Sequence, residues 1–185
     1  MTMPLIATGY PARRVPRVGV APEVRGERVV HQLDGIEPEV HPADLLAVGH
    51  QLWDLWRRHP QFTPCDLILG LDAGGILPTV ALSLASATPY KLAWKLDLDL
   101  PDKRVFHERH ARRTDVFVYG DLRGRRVLIV DDEITSGHTV ASLLDVLVAA
   151  GATAVGVMCL VEDTAGAGRS LVEGRGVACC SLTRI

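Results

Sequence analysis

Short, unbroken apolar runs alternating with segments of helical periodicity constrain this chain more than any other feature. Asp66-Leu67-Ile68-Leu69-Gly70, Tyr90 to Lys95, Val127-Leu128-Ile129-Val130 and Ala154 to Val161 all read as strands. Ile76 to Ala87, with Pro78 in its first turn, and Val140 to Ala150 read as the helices between them. Strands with no polar alternation are buried on both faces, which is the condition of a parallel sheet covered by helices on each side. The pattern therefore predicts an α/β fold built on an open, mostly parallel, twisted sheet with helices on both faces. At 185 residues the chain has room for one compact domain. We divide it into an N-terminal arm and helix segment, 1–62, and a core, 63–185.

The arm is less regular. Residues 1–28 hold four of the eleven prolines and little periodicity, so an irregular segment is expected, followed by an extended piece from Arg28 to Leu33. From Ala43 to His59, Leu45, Leu46, Val48, Leu52, Trp53, Leu55 and Trp56 recur at helical spacing, between Pro42 and Pro60. At three-residue spacing on an apolar face, Trp53 and Trp56 are read as core packing. Between Leu96 and Gly124 the text is long, polar and charged, with strand-like character only at Asp115 to Tyr119. A loop of that length in a compact domain is expected to be an active-site cover or disordered.

Charge and cysteine usage exclude several classes. Lys and Arg total 20 against 22 Asp and Glu, a net charge of −2, which argues against a nucleic-acid-binding role. Cys65, Cys159, Cys179 and Cys180 offer no CxxC metal pair, and adjacent Cys179 and Cys180 suit a structural disulfide poorly. No run of about 18 uncharged apolar residues predicts a membrane span. The N-terminal arginines follow the short apolar stretch instead of preceding it, the reverse of a secretory signal. A cytoplasmic protein is expected.

The chemistry concentrates in Arg126 to Thr139, RVLIVDDEITSGHT. Four buried-type strand residues run into Asp131-Asp132-Glu133, then Ile134, then Thr135-Ser136-Gly137-His138-Thr139, then a helix. Ligands of open α/β sheets bind beyond the carboxyl ends of strands, where this block falls. Hydroxyls and free N–H groups from Thr135 to Thr139, at a helix N-terminus, make a cradle for a phosphate dianion. Gly137, with no Cβ, lets the backbone approach closely. Asp131 and Asp132 could then accept hydrogen bonds from the vicinal hydroxyls of a ribose carrying that phosphate. The block is not a Walker A loop, and Gly70 to Gly75 does not satisfy GxGxxG.

This block resembles the phosphoribosyl-diphosphate (PRPP) signature of type I phosphoribosyltransferases: an apolar strand, two acids, a few variable residues and a T/S-G-x-T loop. The surrounding chain, roughly residues 29–178, is similar to the adenine phosphoribosyltransferases in particular. Gly70-Leu71-Asp72-Ala73-Gly74-Gly75 stands where those enzymes have their diphosphate loop, Lys95 matches a family lysine, and Leu160 to Thr164 resembles the end of their last core strand. The resemblance implies transfer of 5-phosphoribosyl from PRPP, with Mg²⁺, to a nitrogenous base, or to an unusual acceptor such as an aminocyclitol, with release of diphosphate. It implies ribose contacts at Asp131 and Asp132, and 5-phosphate contacts at Thr135, Ser136, Gly137, His138 and Thr139. Diphosphate contacts are implied at Asp72, Ala73, Gly74, Gly75 and Lys95, with a non-proline cis peptide between about Asp72 and Gly74. Mg²⁺ would be held mainly by PRPP, with Asp131 and Asp132 as the acids that could assist.

Glu108 falls where the adenine enzymes place a catalytic-loop Glu, so the resemblance makes segment 96–124 a flexible lid. Lys103, Arg104, Arg109, Arg112 and Arg113 are the cations on it that could reach diphosphate. The two termini would form a small hood over the acceptor, with His31 and Gln32 matching the base-gripping segment and His31 equally open to a satisfied core or surface position. A homodimer is implied by the family, with neither nucleic acid nor membrane as partner. Three departures stand out. Gly74 occupies the place of a family Arg. Val30-His31-Gln32-Leu33 lacks the usual aromatic and Arg. Glu133 and His138 replace apolar and Gly residues; strand alternation turns Glu133 away from the site, and His138 is open to either a phosphate contact or the surface. The altered diphosphate loop also motivates a second expectation, a PRPP-sensing regulator without turnover.

Overall fold

The computed structural model describes residues 9–21, 25–37, 39–109 and 113–185, with no side-chain description at Arg109 and Arg113. Its centre is a five-stranded sheet in the order β4-β3-β7-β8-β9, with every neighbouring pair parallel. The strands are β3 (Leu67–Leu71), β4 (Tyr90–Ala93), β7 (Arg126–Ile134), β8 (Thr153–Glu162) and β9 (Ala178–Arg184). Side chains alternate between two apolar layers. Leu67, Leu69, Val127, Ile129, Val157 and Cys159 face α3 (His138–Ala149) and α4 (Gly168–Glu173). Ile68, Leu128, Val130, Met158 and Leu160 face α1 (Pro42–Arg57) and α2 (Ile76–Ser86). Cover on both sides is why these strands show no polar alternation. Trp56 is fully buried in the second layer and Trp53 packs against it, as their spacing predicts.

Four expectations are corrected. The arm is not irregular throughout: β1 (Ala12–Pro16) pairs antiparallel with β2 (Glu27–His31), Arg14 opposite Val29. This ribbon's charged residues hide a period that its pairing, not its composition, creates. Met1 to Thr8 lie outside the described residues.

The segment 96–124 is not simply a loop. It contains an antiparallel hairpin, β5 (Arg104–Arg109) and β6 (Arg113–Val118), whose Phe106, Val116 and Val118 are buried in the same layer as β7. Period-2 burial, with Val105 exposed and Phe106 enclosed, was masked by the surrounding charge.

β7 does not stop before the acids. Backbone pairing with β8 continues through Asp131, Glu133 and Ile134, opposite Cys159, Val161 and Glu162. The C-terminal stretch is no hood, because β9 completes the sheet as an edge strand beside β8. All four cysteines are free, and Cys159, Cys179 and Cys180 are buried as small apolar groups. Among the described residues no helix is long and apolar enough to cross a membrane.

Candidate active site

The carboxyl end of β7 brings Asp131, Asp132 and Glu133 to the edge of the sheet, where all three are partly buried. After buried Ile134 the chain turns through Thr135 and Ser136 to Gly137, which takes a left-handed conformation (φ 73°) and starts α3. A Cβ there would also lie 2.8 Å from the backbone of Gly168, whose N–H donates to the Thr135 carbonyl at 2.7 Å. The segment after β8 thus backs the turn. No side chain caps α3, so the amides of its first turn stay available for an anion.

Opposite this turn, β3 delivers a second loop. The Asp72–Ala73 peptide is cis, where the resemblance implies such a bond. Asp72 accepts the Lys95 backbone N–H at 3.3 Å, and Lys95 Nζ lies 2.9 Å from Glu108 Oε2 on β5. These groups surround a cavity of about 680 Å³, within the range of small-molecule sites.

Asp72, Ala73, Gly74, Lys95, Glu108, Asp131, Asp132, Thr135, Ser136, Gly137 and Thr139 all line this cavity. Four expected residues do not. Gly75 is buried behind the loop as the residue preceding α2, and His138 is exposed at the start of α3. Gln32 lines a separate small pocket with Tyr10 and Gln51, and His31 is buried behind Asp132, so neither faces the main cavity as an acceptor contact would. On the hairpin, Lys103 pairs with Asp97 at 2.7 Å and Arg104 bonds the Asp102 carbonyl, away from the cavity. Arg112, and the side chains of Arg109 and Arg113, lie outside the described residues.

The wall that sequence reasoning missed is the β1–β2 ribbon. Arg25 bridges Glu133 at 2.6 Å and Asp163 at 2.8 Å, and Arg14 joins Asp163 at 2.6 Å. Glu133 therefore faces this wall instead of turning away. Arg25 supplies its charge partner. Arg17 and Arg28 line the same cavity, with no ion pair of their own among the described residues. Basic residues near Pro16 and Glu27 were visible in the text, but nothing local says that they fold over the acids.

The two aspartates are electrostatically unlike. Burial pushes the Asp131 carboxyl well above the usual aspartate range, and the neighbouring Asp132 charge adds to it. Burial acts the same way on Asp132, but His31, the hydrogen bond with Asp131 and the Glu133 N–H outweigh it and hold that group low. Asp131 is thus the half of the pair at which burial disfavours charge. A carboxyl raised on folding contributes stability that is full below its unfolded value and is lost as pH rises through the folded one. The melting temperature of Asp131→Asn minus that of the unmodified protein should therefore grow as pH is raised from the ordinary aspartate range toward neutrality. A difference independent of pH in thermal melts would contradict this assignment.

Comparison with known proteins places these features. Residues 42–174 match the phosphoribosyl transferase domain family. Xanthine phosphoribosyltransferase of Chloroflexus aurantiacus is 36% identical over 126 residues, covering 65% of this chain and 60% of that protein. Hypoxanthine/guanine phosphoribosyltransferase of Methanotorris igneus is 30% identical over 151 residues, covering 80% of this chain and 78% of that one. In fold, adenine phosphoribosyltransferase of Rhodothermus marinus superposes with a TM-score of 0.72 at 19% identity, covering 94% of each chain. The strand, paired acids and glycine turn at one sheet edge, the family match over most of the chain and these relatives agree: the chain belongs to the type I phosphoribosyltransferases.

Proposed function

We propose that the cavity binds PRPP and that the enzyme transfers its 5-phosphoribosyl group to a ring nitrogen of a heterocyclic base, releasing diphosphate. The observation that carries this reading is the convergence of the Asp131–Asp132 pair, the Thr135–Thr139 turn, the Asp72–Gly74 loop and Lys95 on one cavity. First-turn amides and the hydroxyls of Thr135, Ser136 and Thr139 receive the 5-phosphate. The paired acids receive the ribose diol. Amides of Ala73 and Gly74, with Lys95, receive the diphosphate.

Breaking the C1–oxygen bond leaves positive charge on the ribose while negative charge grows on the leaving group. Fixed carboxylates beside the sugar and fixed donors beside the diphosphate oppose both changes without having to reorganise. Lys95, held by Glu108 before substrate arrives, exchanges one anionic partner for another when diphosphate is present. The donor set suits a hard cation carried in by the substrate. Asp131 and Asp132 offer oxygens, while no cluster of three or more metal-ligating side chains occurs among the described residues. Bound there, Mg²⁺ would neutralise charge on the departing diphosphate.

The acceptor enters from the side of the ribbon. Two guanidiniums without an ion pair among the described residues, Arg17 and Arg28, disfavour a cationic aminocyclitol there and favour a neutral or acidic base, including one that bears a carboxylate. The decisive experiment is a diphosphate-release assay with Mg²⁺-PRPP across purines, pyrimidines, carboxylated bases and aminocyclitols. Release with at least one base is expected. Binding of PRPP by calorimetry with no release across the panel would establish the sensor instead, and absence of binding would remove both. Within this reading, Glu108→Gln should lower kcat about 10²-fold while leaving the dissociation constant for PRPP within a few fold. Equal loss in both would assign Glu108 to substrate binding alone.

A further inference from the structure

Behind the paired acids lies a buried polar chain that the proposed chemistry does not use. His31 ends β2 with its side chain only 2% exposed, and its Nε2 points at Asp132 Oδ2 from 3.6 Å. That nitrogen has no hydrogen-bond partner among the described residues. On the other edge of the ring, Nδ1 lies 3.1 Å from the Tyr10 hydroxyl, which also accepts the Leu33 backbone N–H at 2.9 Å. Burial pushes the Tyr10 phenol pKa up, so the hydroxyl keeps its proton.

These contacts decide the tautomer. With Leu33 donating to Tyr10, the phenol's single proton needs an acceptor, and among the described residues Nδ1 is the one within reach. A proton on Nδ1 would orphan that hydroxyl, and a bare Nε2 would set a lone pair against a carboxylate. The tautomer without either penalty carries its proton on Nε2, aimed at Asp132. At 3.6 Å the contact is one small shift from a hydrogen bond, a spacing common in ligand-free sites that tighten on binding.

Asp132 is confined on its remaining sides. Its Oδ1 accepts the Glu133 N–H at 2.9 Å, and its carboxylate lies against the Cα of Gly74. A carboxylate has about four acceptor positions, so these contacts fix its rotamer and still leave lone pairs for a ligand. We propose that His31, held as its Nε2–H tautomer by Tyr10, is a positioning residue that locks Asp132 in the rotamer that receives the ribose diol. The proposal rests on the PRPP reading above and gives His31 a part in sugar binding, not acceptor binding.

Three measurements test it. In the unmodified protein labelled with ¹⁵N-histidine, His31 should show a protonated Nε2 and an unprotonated Nδ1. The opposite tautomer would overturn the proposal whether or not PRPP is the ligand. By calorimetry and steady-state kinetics, His31→Phe, which keeps the ring's bulk without the N–H, should weaken PRPP binding about tenfold, the scale of one hydrogen bond to a charged group. The KM for the base should stay within about twofold. His31→Gln, whose amide can place an N–H near the Nε2 position, should regain most of the loss.

Unchanged PRPP affinity in His31→Phe, or a change confined to the base, would overturn the proposal. Should that variant fail to fold, a His31→Gln protein that folds yet binds PRPP as poorly as an Asp132→Asn variant would overturn it equally. If the unmodified protein binds no PRPP, the functional reading fails on its own, and the tautomer measurement still judges the Tyr10–His31 geometry.

Discussion

Converting Asp131 and Asp132 together to asparagine should lower kcat/KM for PRPP by about 10³-fold and leave the fold intact. The expectation has two parts with different causes. On the catalytic side, the amides keep shape and one acceptor oxygen each, but they remove the negative charge facing the sugar. They also bring N–H groups toward hydroxyls that need acceptors. On the folding side, burial already disfavours charge at Asp131, so a neutral isostere there relieves a cost. The favourable surroundings of the Asp132 charge are lost in the same variant, so circular dichroism should match that of the parent while diphosphate release collapses. Unchanged turnover in the folded double variant would detach the paired acids from the reaction, and with them the proposed identity of the ligand.

The second large effect comes from a methyl group. Gly74 stands where the family resemblance implies Arg, and the structure explains why no side chain is present. A Cβ at this position would sit inside the carboxylate of Asp132. Asp132 is held from behind by the Glu133 N–H and faced by buried His31, so it cannot turn aside freely. Gly74→Ala should therefore displace an acid that binds the sugar, raising KM for PRPP about 10- to 100-fold, the range of a forced overpacking. The KM for the base should change much less. Steady-state kinetics with PRPP varied at saturating base reads this directly. An alanine variant with parental KM would mean that Asp132 has room the structure does not show. The loss of a cation from this loop is thus coupled to the close packing of the acid beside it.

How much of this was legible beforehand depends on the range of each contact. β3, β7, β8, α2 and α3 were readable because burial on both faces leaves a local mark, an unbroken apolar run or a helical stripe. The Asp131 to Thr139 block was readable for the same reason, since its parts are contiguous and one strand end presents them. The β1–β2 ribbon was not, because Arg13, Arg14 and Glu27 carry no apolar period, and the partners that order Arg14 and Arg25 are Asp163 and Glu133, far along the chain. Aspartates have low strand propensity, which made β7 look shorter than it is. Pairing to β8 overrides that preference. Lys95 and Glu108 could be named from resemblance, yet their 2.9 Å contact depends on how the β5–β6 hairpin lies across the sheet. His31 was visible as a residue, but its surroundings were not, because they are made by Tyr10 on one side and Asp132 on the other.

The hairpin that carries Glu108 has a consequence for how such a site stays dry. Phe106, Val116 and Val118 root it in the layer formed by β7 and α3, so it cannot swing out as one body without tearing open the interior. Where this rooted hairpin holds its side of the chamber, the incoming base itself would have to stopper the remaining opening. An ill-fitting base would then admit water to the electron-poor sugar, and the penalty for poor fit would appear as wasted donor, with free sugar phosphate formed in place of nucleotide.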